Sequence, residues 1–504
     1  MGEPQQLSQA ERRPSVAARR KDAVVRKAAA VGLLSDDAPL AGFIDLAGIA
    51  ATQRALHTAF ADVPAPTQPR STQPRSTPVV LHTFAAKAAS LVPMLRLFAD
   101  AGMGCEAASP GELAQALAAG FAPSRIVLDS PAKTRAELRT ALRLGVAVNA
   151  DNFEELARID EILRDLDLDP DPDLDRDPDP DLDRRNGRAG RDGVRPPLGL
   201  RINPQVGAGS IGAMSTATER SKFGVPLRDK GARASIIAAF AHYPWLNRLH
   251  LHVGSQGCPL ELIARGVRDV YELAEEINAL LPGEAGSGPR RVTSLDLGGG
   301  LPVNFADDRV SPSFAEYAQV LRDQVPGLFD GRYSLVTEFG RSLVAKNGFT
   351  LARVEYVKEV GGRRVALTHA GAQVATRTAF MPESWPLRLG AYAADGLPKC
   401  GPAGLHDVAG PLCFAGDLLA SERELPLLES GDLLLLHDTG GYYFTALWTY
   451  NSLPRPAVYG FEVDDAAESV HFTLLRPQQT LEELVAEAGG EPAGARTGLP
   501  SRRP

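Results

Sequence analysis

The stretch SPGELAQALAAGFAPSRIVLDSPAKTRAELRTALRLGVAVNADNFEELARIDEILRDL, residues 109–166, decides the fold. Over 109–120, 134–145 and 153–166 its apolar positions recur at three and four, which places them on one face of a helix. Glycine closes the first two of these segments, at 120 and 145. Between the helices lie RIVLDS (125–130) and VAVNA (146–150), short apolar runs that read as buried parallel strands. Strand and helix in repeated alternation predict a parallel α/β fold.

The pattern extends in both directions. VVLHTFAA (79–86), LGLRIN (198–203), RLHLHVG (248–254), SLDLGGG (294–300) and SLVTEFG (334–340) read as further strands, and 261–281 as a long amphipathic helix. Seven or eight such units predict a (β/α)8 TIM-type barrel, an α/β architecture whose functional groups gather at the C-terminal ends of its strands. After about residue 345 the pattern changes. FTLARVEYVKEVGGRRVALTHAG (349–371) reads as two strands joined by a Gly-Gly turn, and GDLLLLHDTGGYYF and ESVHFTLLRP are also short and strand-like, so a second, mainly β domain follows.

The 504 residues allow two or three domains. The formal charge of −8 argues against a nucleic-acid protein, and its location sharpens the point. DLDLDPDPDLDRDPDPDLD (165–183) holds ten Asp against one Arg, which accounts for the whole of that charge. Like charges repel and proline forbids helix, so this segment, extended to about 194, is expected to be a solvated, disordered insert. It lacks the glycine turn and bidentate glutamate of an EF-hand calcium loop. APTQPRSTQPRSTP (65–78), with TQPRS twice, is a second expected insert, and the Arg-rich arm to about residue 35 a third unstructured stretch. The expected organisation is 1–37 as a disordered arm and start of the β domain, 38–345 as barrel with inserts 65–78 and 165–194, 346–480 as β domain, and 481–504 as a flexible tail. No apolar window is long enough for a membrane helix and the N-terminus has no apolar signal core. Cys105, Cys258, Cys400 and Cys413 form neither a disulfide framework nor a CxxC metal pair, so a reducing cytoplasm is the expected location.

Several chemistry-bearing residues fall at strand ends. Lys87 follows an apolar run, where a charge is costly; a desolvated lysine can form a Schiff base, although a lysine snorkelling from the strand end would look the same. Gly298, Gly299 and Gly300 would let backbone amides approach a phosphate, or make a plain turn. His252 lies two residues after His250 and so on the same face of a strand. That spacing could suggest a metal pair, but no third ligand stands nearby, and a packed core histidine fits as well. Glu338 and Arg341 put an acid and a base at the same barrel mouth.

Together these segments resemble the fold-type III pyridoxal-phosphate amino-acid decarboxylases, the group that contains the diaminopimelate and ornithine enzymes. FAAKA (84–88) looks like the cofactor-lysine motif and GCEAASPGEL (104–113) like the next strand and helix. RINPQ, SKFG, HVGSQ, DLGGGLPV and EFGR follow in the family's order. AGPLCFAGDLLA (409–420) resembles the catalytic-cysteine segment and HDTGGYYFTALWTYN (437–451) the phosphate-tyrosine segment. The resemblance covers about residues 38–475 outside the inserts. It implies pyridoxal 5'-phosphate as cofactor, held by Lys87 as an internal aldimine, with decarboxylation through a quinonoid, His252 stacked on the pyridine ring, and Glu338 keeping the ring nitrogen protonated. Ser255, Gly299, Gly300, Gly340, Arg341 and Tyr442 would hold the phosphate, and Glu106, Glu112 and Arg201 match positions beneath the cofactor. Cys413, followed by Asp417, matches the cysteine that protonates the product across a dimer interface, against the alternative of a buried apolar cysteine. The resemblance therefore implies a homodimer with shared active sites, and no metal.

Three positions depart from the pattern. The residue after the catalytic cysteine usually carries a carboxylate for the substrate's distal amine, and here it is Phe414. The Arg-Pro-x-x-Tyr segment reads Arg377, Thr378, Ala379, Phe380, Met381, and a strand-start Asp reads His369. Phenylalanine cannot satisfy an ammonium group, so diaminopimelate and ornithine are expected to be poor substrates. Arg341, Arg377, Phe414 and Tyr442 are the expected substrate contacts, the two arginines able to clamp a distal carboxylate. Two alternatives stay open: an amino-acid racemase on the same barrel, less consistent with the cysteine segment, and a non-catalytic homologue that binds a partner protein, which the presence of Lys87 and Cys413 disfavours.

Overall fold

The computed structural model describes residues 15–64, 79–168, 196–281, 290–464 and 469–490. The chain divides into two units. One comprises residues 47–304 and 309–345, the other residues 1–46, 305–308 and 346–504.

The first unit is the predicted barrel. Eight parallel strands follow one another: Val80–Ala85, Gly104–Ala107, Ile126–Asp129, Ala147–Ala150, Leu198–Asn203, Leu246–His250, Ser294–Asp296 and Ser334–Phe339. Ser334–Phe339 pairs with Val80–Ala85, and the pairing of Ala147–Ala150 with Leu198–Asn203 leaves no open edge. Most strand residues are buried whichever way their side chains point, as expected when side chains fill the inside and helices cover the outside. Leu81, Val127, Ala147 and Val336, from four strands, form one such buried cluster.

The deciding stretch folds as its periodicity requires. Helix Pro110–Ala118 is capped by Ser109, whose hydroxyl accepts from the Glu112 amide. Helix Arg135–Leu144 opens with a reciprocal Thr134–Glu137 capping box and closes on Gly145 at φ 77°, a left-handed conformation that suits glycine. Helix Phe153–Leu168 runs into the Asp-rich segment, so residues 165–168 are helical rather than part of an insert. Asp165 pairs with Arg139 of the preceding helix at 3.0 Å. The remainder of that expected insert and all of 65–78 lie outside the described residues. His252 lies beyond the strand, which ends at His250; the same-face reading of the two histidines therefore does not apply.

The second unit is built on a nine-stranded sheet whose main path runs Leu418–Pro426, Ala403–Ala409, Arg363–Thr368, Gly348–Val360, Leu40–Asp45, Ala457–Asp464 and Ser469–Arg476. Gly361 and Gly362, at φ 58° and 78°, make the predicted tight turn, since both central residues of such a turn need positive φ. Three boundaries differ from expectation. Leu40–Asp45 belongs to this sheet, not to the barrel, because it pairs on both sides with strands of this unit. The Arg-rich arm is helical over Val16–Ala30, capped by Ser15. Its Val24, Val25 and Ala28 are fully buried with Phe43, Phe349 and Leu435, an apolar stripe that the interspersed arginines conceal. Residues 481–487 are a helix rather than tail, begun by a Thr480–Glu483 capping box.

Candidate active site

In the barrel unit the predicted residues converge. Lys87 lies in a single helical turn directly after Val80–Ala85, and its ammonium contacts the Glu106 carboxylate from the neighbouring strand. Glu106 is fully buried, and its other oxygen, Oε1, has no hydrogen-bond partner. Burial pushes its pKa up, with Lys87 opposing. Arg201 sits on Leu198–Asn203 and donates to Asp129 at 3.0 Å, while its guanidinium lies 4.4 Å over the Phe223 ring of the SKFG segment. Burial alone would raise Asp129. Arg201, then His250 and the lysines Lys133 and Lys87, outweigh it and hold the carboxyl below the usual range.

The glycine loop is a matter of clearance. A Cβ on Gly299 would lie 2.0 Å from the Glu338 carbonyl oxygen, and one on Gly300, at φ 98°, 1.9 Å from that of Gly254. Any side chain there would displace backbone, so the loop keeps a bare main-chain surface of the kind a phosphate requires. The Gly299 amide donates to Nδ1 of His252 at 3.1 Å, which makes Nδ1 an acceptor and leaves any ring hydrogen on Nε2. Burial, followed by the charges of Arg201 and Lys87, lowers the pKa of His252 well below normal, so the ring is neutral. Ser255 follows the same turn, its amide donating to Met214 at 2.9 Å. A Cβ on Gly340 would lie 2.9 Å from that of Ala88, so the EFGR turn packs against the lysine turn. Arg341, next along, is buried. Glu112 turns back to accept from the Ala108 amide at 2.7 Å, which commits it to the start of its helix.

Glu338 ends the circle. It is buried, its Oε1 has no hydrogen-bond partner, and burial, then the charges of Asp129 and Glu106, raises its pKa well above normal. A buried carboxyl oxygen left open beside a glycine cradle and an amine fits pyridoxal phosphate: Oε1 for the ring nitrogen, the cradle for the phosphate, Lys87 for the carbonyl carbon. The sequence offered no third group to join His250 and His252, whereas the fold brings Asp129 and Glu338 to His250, with one polar atom of each of the three within 4.8 Å of the others. Asp129 was missed as a site residue; its place at the end of the LDS strand was the available signal.

The β unit holds the other predicted residues. Cys413 is exposed, unlike the buried Cys105 and Cys258, so the apolar-core reading does not hold for it. Its amide donates to Asn451 at 2.8 Å. Asp417 is buried and accepts from the Ala372 and Leu412 amides, which ties the cysteine loop to the start of helix Ala372–Phe380. Arg377 lies 4.5 Å over the Tyr442 ring and 5.2 Å from that of Trp385. Phe414 stacks on Phe380 at 5.3 Å, and Trp448 meets both rings edge-on. Phe380 and Trp448 escaped the sequence reading because nothing in the chain order links them to Phe414. His369 pairs with Glu355 at 3.0 Å.

A parallel barrel with a lysine after its first strand, a glycine cradle and a buried acid defines a pyridoxal-phosphate enzyme of the fold-type III class. Comparison with known proteins makes this specific. Residues 70–345 match the family described as pyridoxal-dependent decarboxylase, pyridoxal binding domain, and the chain belongs to that family. It is 32% identical over 407 residues to diaminopimelate decarboxylase of Pseudomonas aeruginosa, covering 81% of this chain and 86% of the relative. The Vibrio cholerae diaminopimelate decarboxylase is 31% identical over 382 residues, covering 75% and 80%. The crystal structure of the Helicobacter pylori diaminopimelate decarboxylase complexed with L-lysine shares the fold, with a TM-score of 0.70, 24% identity, and coverage of 89% of this chain and 96% of that one. The protein is thus a pyridoxal-phosphate-dependent amino-acid decarboxylase.

Proposed function

We propose that the enzyme decarboxylates an amino acid whose distal end is acidic or apolar, and that diaminopimelate and ornithine are poor substrates. The carrying observation is that Phe414, which departs from the family pattern, stacks on Phe380 with Trp448 against both rings. A distal ammonium placed against these rings would lack the carboxylate that Phe414 replaces, and so lose a charged hydrogen bond of about 1.5–3 kcal/mol. Arg377, with a buried Nη1 that has no hydrogen-bond partner, suits a carboxylate instead.

The cofactor, when bound, supplies an electron sink for the pair left on the substrate carbon as CO2 departs. Lys87 would provide the amine that holds it, Glu338 the hydrogen-bond partner of the ring nitrogen, and neutral His252 a stacking face. Arg201 acts through Asp129. The loop of Gly299 and Gly300, with Ser255, Gly340, Arg341 and Tyr442, would bind the phosphate. Cys413, exposed and held by its backbone, would return a proton to the product from a second copy of the chain, which makes the working form a homodimer in the cytoplasm. CO2 release from a panel of L- and D-amino acids tests the substrate reading. Turnover of diaminopimelate as rapid as the best panel member would refute it, and loss of all turnover in Lys87→Ala is expected.

A further inference from the structure

We propose that His250 is a positioning residue for the reaction: it bridges Asp129 and Glu338 and holds the shared proton that leaves Oε1 of Glu338 free for the cofactor's ring nitrogen. His250 is the last residue of Leu246–His250 and is fully buried. Its Nδ1 lies 3.6 Å from Oδ1 of Asp129 and its Nε2 lies 3.5 Å from Oε2 of Glu338. With the Arg201–Asp129 bond at 3.0 Å this makes a continuous row, Arg201, Asp129, His250, Glu338, across the strand ends. The row ends at Oε1, which has no partner.

The proton count follows from the geometry. Arg201 keeps Asp129 ionised, so Asp129 can only accept, and a hydrogen on Nδ1 of His250 would face it across 3.6 Å, longer than a hydrogen bond. In a neutral ring Nε2 is then a lone pair that faces Oε2. Two acceptors opposed in a buried site repel, so one proton must lie between them, on Nε2 or on Oε2. Burial lowers the pKa of His250 and raises that of Glu338, which favours the proton on Oε2 while nothing else charges the site. A cation hydrogen-bonded at Oε1 would favour its return to Nε2, where the imidazolium is flanked by two carboxylates. His250 thereby lets Glu338 be neutral or ionised without leaving a bare buried charge. The other charged or titratable groups facing the ring are Asp296, Arg201 and Glu106, with His252 two residues on.

The test is cofactor affinity and spectrum, not turnover alone. Cofactor is stripped from the purified enzyme and pyridoxal phosphate titrated back into wild type, His250→Phe, His250→Gln, Glu338→Gln and the His250→Gln/Glu338→Gln double variant, with absorbance of the bound cofactor followed against pH. His250→Phe is expected to weaken binding by about 10- to 100-fold, the scale of one charged hydrogen bond, and to shift the pH dependence of the absorbance. His250→Gln, which keeps a donor and similar volume, should recover part of the loss and decides the matter if the phenylalanine variant does not fold. In the Glu338→Gln background the histidine change should have almost no further effect, because the two act as one unit. Wild-type affinity in both His250 variants, an undiminished penalty in the Glu338→Gln background, or a stoichiometric divalent metal in the purified wild type would each overturn the assignment.

Discussion

Replacing Phe414 by glutamate restores the carboxylate that the family pattern places after the cysteine, and the structure sets the size of the outcome. The Phe414 ring makes two aromatic contacts, to Phe380 at 5.3 Å and to Trp448 at 5.8 Å. Each such pair contributes about 0.5–1.5 kcal/mol, so Phe414→Glu should lower stability by about 1–3 kcal/mol. A charged hydrogen bond to a distal ammonium contributes about 1.5–3 kcal/mol, equivalent to about 10- to 150-fold in kcat/KM for a diamine-type substrate. The assay is CO2 release from diaminopimelate and from an acidic or apolar competitor, by wild type and variant, with thermal melting of both. The ratio of the two kcat/KM values should move toward diaminopimelate while the melting temperature falls. A folded Phe414→Glu enzyme with an unchanged ratio would refute the reasoning, because the position would then not face the distal group.

Further outcomes are expected elsewhere. Gly300→Ala places a methyl group 1.9 Å from the Gly254 carbonyl oxygen at a positive φ, so it should cost about 1–3 kcal/mol and weaken pyridoxal-phosphate binding in a titration. Gly361→Ala, also at positive φ but with open space around it, should cost about 1 kcal/mol and leave cofactor binding unchanged. Asp296 is fully buried, and burial pushes its pKa up to about 7. The folded protein therefore holds a proton there that the unfolded chain gives up near pH 4. That contribution is complete at low pH and declines toward pH 7, at about 1.4 kcal/mol per pH unit. Denaturant midpoints of the cofactor-free enzyme measured across that window should show the decline, and Asp296→Asn should flatten it. Val24→Asp puts a charge into the core of the β unit and should lower its stability by about 3 kcal/mol, read by urea denaturation.

Where a side chain's role depends on its own segment, the sequence was sufficient. The helix periods and caps around Thr134 and Gly145, the alternation that makes a barrel, and Lys87 placed after an apolar run are all local features. The errors arose where local composition and tertiary packing disagree. The arm at 16–30 looks polar because Arg19, Arg20, Lys21, Asp22, Arg26 and Lys27 interrupt its apolar residues, yet Val24, Val25 and Ala28 share one face and find a core contributed by distant strands. Leu40–Asp45 reads as well in a barrel as in an antiparallel sheet, and only its partners, Gly348–Val360 and Ala457–Asp464, assign it.

The site divides in the same way. The order of motifs along the chain determined the family and the cofactor, and it marked Lys87, Glu338 and the glycine loop as candidates, since each is a residue type at a strand end. Only the closed barrel could bring Asp129 from one strand, His250 from another and Glu338 from a third into one row. Likewise, only the folded β unit stacks Phe414 on Phe380 and sets Trp448 beside them. The physical reason is range. Helix capping and strand burial act over a few residues, whereas the charges and rings that tune a buried site act through space between residues the chain holds far apart.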